Sequence, residues 1–319
     1  MPLQYDPEYY KALEPLIPIL AAAPQPAVHD VAARRTNFEG FFGSMLEKLP
    51  DSPDVEETVH QIKAQDGTSL QVHRFVKKGS DSTPGPAILH IHGGGMILGS
   101  VALFSKVISA QVSQTGVQMF SVDYRLAPEH KDLTLVEDCY AGLVWLSQNA
   151  HQFNVDPKRI AVMGESAGGG LAAGVTLLAR DRGLSPPLAK QILIYPMLDD
   201  RTLTPRPAVA AFVTWSIDDN ITGWTALLGD KAGKDGVSPY AAPARVESVE
   251  GLPPTYIDVG ELDIFRDEDI KYAARIAEAN ISIEFHLYPG VPHAFEAFGS
   301  GIDTSKRAVA NRLKAMSTF

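Results

Sequence analysis

The chain has a single cysteine, Cys139, in 319 residues, so no intrachain disulfide can form and the fold must rest on its apolar core. Cys139 falls in a helical apolar pattern with Leu135, Val136, Leu143 and Leu146, where a free thiol behaves as a small buried hydrophobe. Positive charge is also in short supply. Twenty-eight Lys and Arg face 38 Asp and Glu, a formal net charge of −10. That balance argues against nucleic acid or an anionic membrane as the main partner, since both demand a basic patch. Long apolar runs are missing: Leu16 to Ala23 is interrupted by Pro18 and is far short of a membrane span. The first residues lack the basic region that opens a secretory signal. The expectation is a soluble cytoplasmic protein, with no internal repeat.

What is present is a regular alternation. Glu57 to Lys63 and Ser69 to Val76 alternate with the period of strands around an Asp66-Gly67 turn, which predicts an antiparallel hairpin. Short apolar runs then follow at 87–91, 117–122, 160–163, 191–195, 255–259 and 283–287. Helical patterns near 103–114, 133–149, 167–181 and 267–280 separate them, with a last one at 304–315. Continuous apolar strands between helices predict an α/β fold with a mostly parallel sheet covered on both faces. Roughly sixty residues between Tyr195 and Thr255 are too many for a plain crossover. The expected organisation is therefore N-terminal helices over 1–50, a core over 51–198 and 236–319, and an inserted helical segment over 199–235. A second N-terminal helix is expected around Phe38 to Leu49. The N-terminal helices and the insert together could form a cap.

The chemistry is concentrated in four places. Gly164-Glu165-Ser166-Ala167-Gly168 follows an apolar strand and opens a helix, the context that a G-x-S-x-G nucleophile elbow requires. The bland alternative is a small-residue turn for close packing. A dinucleotide loop from Gly168, Gly170 and Gly174 has the wrong spacing. His92-Gly93-Gly94-Gly95 follows a second strand and leaves backbone N–H groups bare, as an oxyanion loop needs. Gly93, Gly94 and the N–H of Ala167 are the expected oxyanion donors, and His92 is expected to orient the loop. Asp263 and His293 each follow a later strand, and such loops converge at one edge of a parallel sheet. The order Ser166, Asp263, His293 is that of an α/β-hydrolase triad. His90 and His286 lie inside strand patterns, and His130 and His151 in polar loops. Asp258 is mid-strand, while Asp267 and Glu268 suit the start of a helix.

Together these segments resemble the hormone-sensitive-lipase-like family of α/β-hydrolase esterases. The resemblance runs over about residues 55 to 315 and rests on motifs in series: His92 to Gly95, Tyr124-Arg-Leu-Ala-Pro-Glu-His130, Asn154 to Arg159, Gly164 to Gly168, Asp263 with Arg266-Asp267-Glu268, and Pro292-His293-Ala294-Phe295. Glu165 stands where many relatives have Asp, and Lys131 where the family usually has Pro. The resemblance implies an α/β-hydrolase fold with an eight-stranded sheet and a helical cap, a homodimer, and hydrolysis of short- to medium-chain acyl esters without metal or other cofactor. Phe212, Trp215 and Trp224 are then candidates for the wall of the acyl pocket, or equally for the packed interior of the cap. An amidase or lactonase with the same triad is the alternative reading. A small-molecule receptor of this fold would be expected to have lost a triad member, and a lipase to carry an interfacial anchor.

Overall fold

The hairpin that opens the sheet is set by its turn. Asp66 Oδ1 accepts the Thr68 N–H at 2.9 Å, and β1 (Val55–Lys63) pairs antiparallel with β2 (Ser69–Lys77), Lys63 opposite Ser69. The protein is described from a computed structural model covering residues 2–22, 25–80 and 83–319. Six further strands follow: β3 (Gly85–Ile91), β4 (Gln118–Asp123), β5 (Val155–Glu165), β6 (Lys190–Ile194), β7 (Thr255–Gly260) and β8 (Ile283–Tyr288). They form one eight-stranded sheet in the order β1-β2-β4-β3-β5-β6-β7-β8. From β4 to β8 every pairing is parallel.

Alternation along the strands divides the core in two. Ile88, Met119, Ala161, Met163, Ile192 and Tyr256 point to one face, where the helices Val101–Thr115 and Asp303–Ser317 cover them. Leu89, Phe120, Val162, Leu193 and Ile257 point to the other, under the helices Thr134–Asn149, Ala167–Asp181 and Arg266–Glu278. A strand buried on both faces reads as a continuous apolar run, which is why these segments were visible in the sequence. Cys139 is fully buried in the second cluster. Among the described residues no helix is long and apolar enough to cross a membrane.

The N-terminal region differs from expectation in where its second helix begins. It starts at Val31 rather than near Phe38, because the Asp30 carboxylate accepts the Ala33 N–H and caps it. It continues through a wider turn at Glu39–Gly43 into Ser44–Glu47. The segment between β6 and β7 is mostly irregular; one α-helix, Ile217–Leu228, lies within it, opened by a reciprocal Ser216–Asp219 cap. These two regions meet. The Arg34 guanidinium, 5% exposed as a residue, reaches Asp219 at 2.8 Å. The His29 N–H donates to Thr222 Oγ1 at 3.0 Å, and the Tyr5 hydroxyl donates to the Phe212 carbonyl at 3.0 Å.

Candidate active site

Ser166 stands where β5 gives way to its helix, and the backbone there is bent into φ 58° and ψ −122°, a region that costs a non-glycine residue about 1–3 kcal/mol and recurs at functional sites. The surroundings hold it there. The Ser166 N–H donates to the Ile194 carbonyl at 2.9 Å, and the Ser166 carbonyl accepts from Gly170 and Met197. Gly168 is required by contact: a Cβ on it would lie 2.0 Å from the Ile91 carbonyl oxygen. The tight turn therefore lets β3 and the elbow helix approach closely. Ala167 is the first residue of that helix, so its N–H has no partner within the helix and faces outward with the positive end of the dipole.

The glycine loop after β3 lies against the serine. A Cβ on Gly93 would be 3.5 Å from Ser166 Cβ. The Gly94 carbonyl accepts the N–H groups of Ile97 and Leu98 at 3.1 and 2.9 Å, which turns the loop back on itself. Among the described residues no loop hydrogen bond uses the N–H of Gly93 or Gly94. His92 is fully buried and is engaged in holding the loop. Its Nδ1 donates to the Gly93 carbonyl at 2.8 Å, and its ring stacks on Tyr124 with centroids 4.3 Å apart. The Tyr124 hydroxyl donates to the His92 carbonyl at 2.8 Å.

Burial pushes the His92 pKa down from 6.5 to about 4, against the opposing pull of the Gly93 carbonyl. An unfolded chain binds a proton at this residue between those values and the folded one does not. Stability present above pH 6.5 is therefore lost as the pH falls toward 4, by about 3 kcal/mol. Replacing His92 by Gln is expected to flatten the dependence of melting temperature on pH in this window. Calorimetry from pH 7 to pH 4 checks it; an unchanged slope would assign the acid lability to other groups.

The structure brings Ser166, His293 and Asp263 into one hydrogen-bonded series. His293 Nε2 lies 2.9 Å from Ser166 Oγ, and its Nδ1 lies 2.6 Å from Asp263 Oδ2. All three are buried, Ser166 at 8%, His293 at 7% and Asp263 at 1% exposure. Asp263 Oδ1 accepts the Phe265 N–H at 3.0 Å, which fixes the carboxylate plane. The loops carrying the acid and the histidine are laced together. The Glu261 N–H donates to Tyr288 and the Leu262 N–H to Val291, and the Gly290 N–H donates to the Glu261 carboxylate at 3.0 Å.

Three rival acids and two rival histidines are otherwise engaged. Asp258 is held by Arg312, and Asp267 lies in ion pairs with Arg266 and Arg206. Glu268 accepts the N–H groups of Leu198 and Asp199. His90 bridges Ser121 Oγ at 2.8 Å and the Glu165 carboxylate at 3.0 Å. His286 pairs with Glu284.

The three aromatic candidates separate. The Trp215 ring lies on the glycine loop, so close that a Cβ on Gly95 would be 2.3 Å from it. Phe212 packs edge-on against Tyr5 with centroids 5.0 Å apart. Trp224 is fully buried in the core cluster, the surroundings that the packed-interior alternative expects. A cleft of about 640 Å³ beside the insert, lined by Arg201, Arg206, Lys271 and Arg275, has none of Ser166, Asp263 or His293 in its lining.

Two residues at the site had no sequence signal. The Thr214 hydroxyl donates to the His293 carbonyl at 2.6 Å. Arg35 donates from Nε to the Ile97 carbonyl at 2.9 Å and from Nη2 to the Ala127 carbonyl at 3.0 Å, while pairing with Glu129. A single Thr in an irregular segment and the second Arg of a helical pair belong to no motif, and each acquires its partners only through the tertiary fold.

A profile described as the alpha/beta hydrolase fold matches residues 88–297. The chain is 33% identical over 244 residues to the carboxylesterase NlhH of Mycobacterium tuberculosis, covering 72% of this chain and 73% of that protein. It is 31% identical to an arylesterase of Saccharolobus solfataricus, covering 79% and 80% of the two chains. Among solved structures, a bacterial heroin esterase matches with a TM-score of 0.88 at 35% identity, over 98% of this chain and 97% of that one. The chain belongs to the α/β-hydrolase fold family, in its hormone-sensitive-lipase-like branch. Within that family it is a carboxylic-ester hydrolase.

Proposed function

We propose that the protein is a serine carboxylesterase for short- to medium-chain acyl esters, working through an acyl-enzyme on Ser166. The observation that carries this reading is the hydrogen-bonded series from Ser166 Oγ through His293 to Asp263. In the first half-reaction Ser166 Oγ attacks the ester carbonyl carbon while its proton passes to His293 Nε2. Asp263 keeps the Nδ1–H tautomer in place and stabilises the imidazolium. The negative charge on the former carbonyl oxygen is met by the N–H groups of Gly93, Gly94 and Ala167, donors of a kind worth about 10²–10³ each in rate. Collapse breaks the bond to the alkoxy oxygen, which takes the proton from His293 and leaves as alcohol. Water then attacks the acyl-enzyme carbonyl carbon with His293 again as base; the bond to Ser166 Oγ breaks, His293 returns the proton to Oγ, and the carboxylic acid leaves.

The regions 1–50 and 199–235 act as the cap over this centre, supported by the bonds from Arg34 to Asp219 and from Tyr5 to Phe212. Trp215, resting on Gly95, is the wall nearest the oxyanion loop, with Phe212 farther out. Removing the Trp215 ring should enlarge the acyl side. Trp215→Ala is therefore expected to raise the ratio of kcat/KM for the octanoate over the acetate nitrophenyl ester by about tenfold, the order that one or two extra methylenes command in an apolar pocket. An unchanged chain-length profile would remove Trp215 from the acyl wall. The reading as a whole is tested on a series of nitrophenyl esters with the folded wild-type protein. Absence of both hydrolysis and fluorophosphonate labelling would overturn it.

A further inference from the structure

A buried ionic cluster lies directly behind His293, and the reaction steps above make no use of it. Arg312, on the last helix, is 5% exposed. Its Nε and Nη2 donate to both oxygens of Asp258 on β7 at 2.6 and 2.9 Å, and the Tyr256 hydroxyl adds a bond to Asp258 Oδ2 at 2.8 Å. The remaining Nη1 donates to Glu296 Oε1 at 2.6 Å. Glu296 sits three residues after His293, in the short helix Phe295–Phe298. The same Glu296 oxygen accepts the Tyr195 hydroxyl at 2.6 Å. Burial acts to raise the Glu296 pKa, but Arg312 and the Tyr195 hydroxyl outweigh it and hold the carboxyl below its usual range.

The cluster ends at the catalytic imidazole. The Tyr195 ring meets the His293 ring edge-to-face, centroids 4.6 Å apart at 64°, and Phe265 meets it at 5.2 Å and 84°. The Arg312 guanidinium stands over the Tyr195 ring at 5.0 Å and the Phe295 ring at 5.7 Å. Tyr195 also holds a backbone φ of +36°, with its N–H on the Asp258 carbonyl at 2.7 Å. A bulky residue adopts such a conformation only when its surroundings over-determine it. The Tyr195 hydroxyl is thus held by Glu296, its ring by Arg312 and the apolar core around it, and its N–H by the Asp258 backbone.

The physical need is plain. The bond to Asp263 fixes one nitrogen of the imidazole but leaves the ring free to swing about that contact. A base is effective only within hydrogen-bond reach of the proton it takes, and misplacement by an ångström can cost a hundredfold. Desolvating an arginine and two carboxylates is unfavourable unless their geometry is tightly matched, and in return a bidentate Arg–carboxylate pair makes a rigid mount.

We propose that Tyr195 is a positioning residue for His293, held by Glu296 and Arg312 so that the imidazole presents Nε2 to Ser166. This rests on the serine-esterase reading, in which His293 is the base.

The test uses three variants of the full-length chain, assayed on nitrophenyl acetate well below each melting temperature. Tyr195→Leu removes the ring and is expected to lower kcat about 30-fold with KM within about twofold. Tyr195→Phe keeps the ring and loses only the tether, and is expected to recover most of kcat, leaving a loss of about three- to fivefold. Glu296→Gln keeps the shape but weakens the acceptor, and is expected to lower kcat about fivefold, again with KM unchanged. These last two keep the proposal falsifiable should Tyr195→Leu fail to fold. Wild-type protein that is labelled at Ser166 and active, beside Tyr195→Phe and Glu296→Gln variants that keep wild-type kcat and lose only melting temperature, would overturn the proposal alone. Wild-type protein that is neither labelled nor active would overturn the esterase reading and this proposal with it.

Discussion

Ser166→Ala is expected to lower kcat on nitrophenyl acetate by about 10⁵-fold or more, with fluorophosphonate labelling abolished and the melting temperature close to wild type. The size follows from the loss of a covalent route. Without Oγ there is no acyl-enzyme, and what remains is the contribution of oxyanion donors and substrate binding, about 10³-fold over water. The small effect on folding follows from the way the elbow is held. Its positive-φ backbone is fixed by the Ile194, Gly170 and Met197 hydrogen bonds and by the closeness of Gly168 to Ile91, none of which involves the serine hydroxyl. Peptide mass spectrometry of the wild-type adduct locates the labelled residue. An adduct elsewhere, or a variant that keeps a tenth of the wild-type rate, would end the assignment of Ser166 as nucleophile.

Asp263→Asn is expected to lower kcat by about 10⁴-fold with KM within a few-fold. The Phe265 N–H already donates to Oδ1, so the amide of the variant will place its oxygen there and its NH₂ toward His293. The imidazole must then accept at Nδ1 and carry its proton on Nε2. That tautomer cannot take the Ser166 proton. Steady-state kinetics beside a circular-dichroism melt separate this chemical loss from misfolding. A variant within tenfold of wild type would end the assignment of Asp263 as the acid; Asp258, held by Arg312, could not take its place.

The strands and the order of chemical residues could be read from the chain because both are local. A buried parallel strand announces itself by a continuous apolar run, and the residues at its carboxyl end are placed at one sheet edge by topology alone. That is how Ser166, Asp263 and His293 could be singled out without knowledge of their distances. The rest depended on contacts between remote segments. The Asp30 cap is hard to see among prolines, and the apolar pattern alone predicts a helix from Phe38, seven residues after its start at Val31. Trp215 and Trp224 look alike in sequence, yet one lies on Gly95 and the other is sealed in the core; nothing local distinguishes the faces of an irregular insert. Gly95 reads in sequence like its neighbours, as part of a bare backbone loop, whereas the space it leaves is filled by an indole ring. Arg312 lies in the last helix and reaches Asp258, 54 residues away along the chain, a pairing with no periodic signature.

The hydroxyl of Thr214 on the His293 carbonyl, one residue before the indole that rests on Gly95, has a consequence for how such a protein can change. On the proposed reading, lineages that exchange or lengthen this segment to accept new esters would at the same time disturb His293 and the glycine loop. Inheritance of a new specificity should therefore arrive with a slower enzyme, followed by compensating changes at 214 or in the histidine loop. Chimaeras that graft an insert from a relative would meet the same penalty, and those that retain a hydroxyl at 214 should suffer it least.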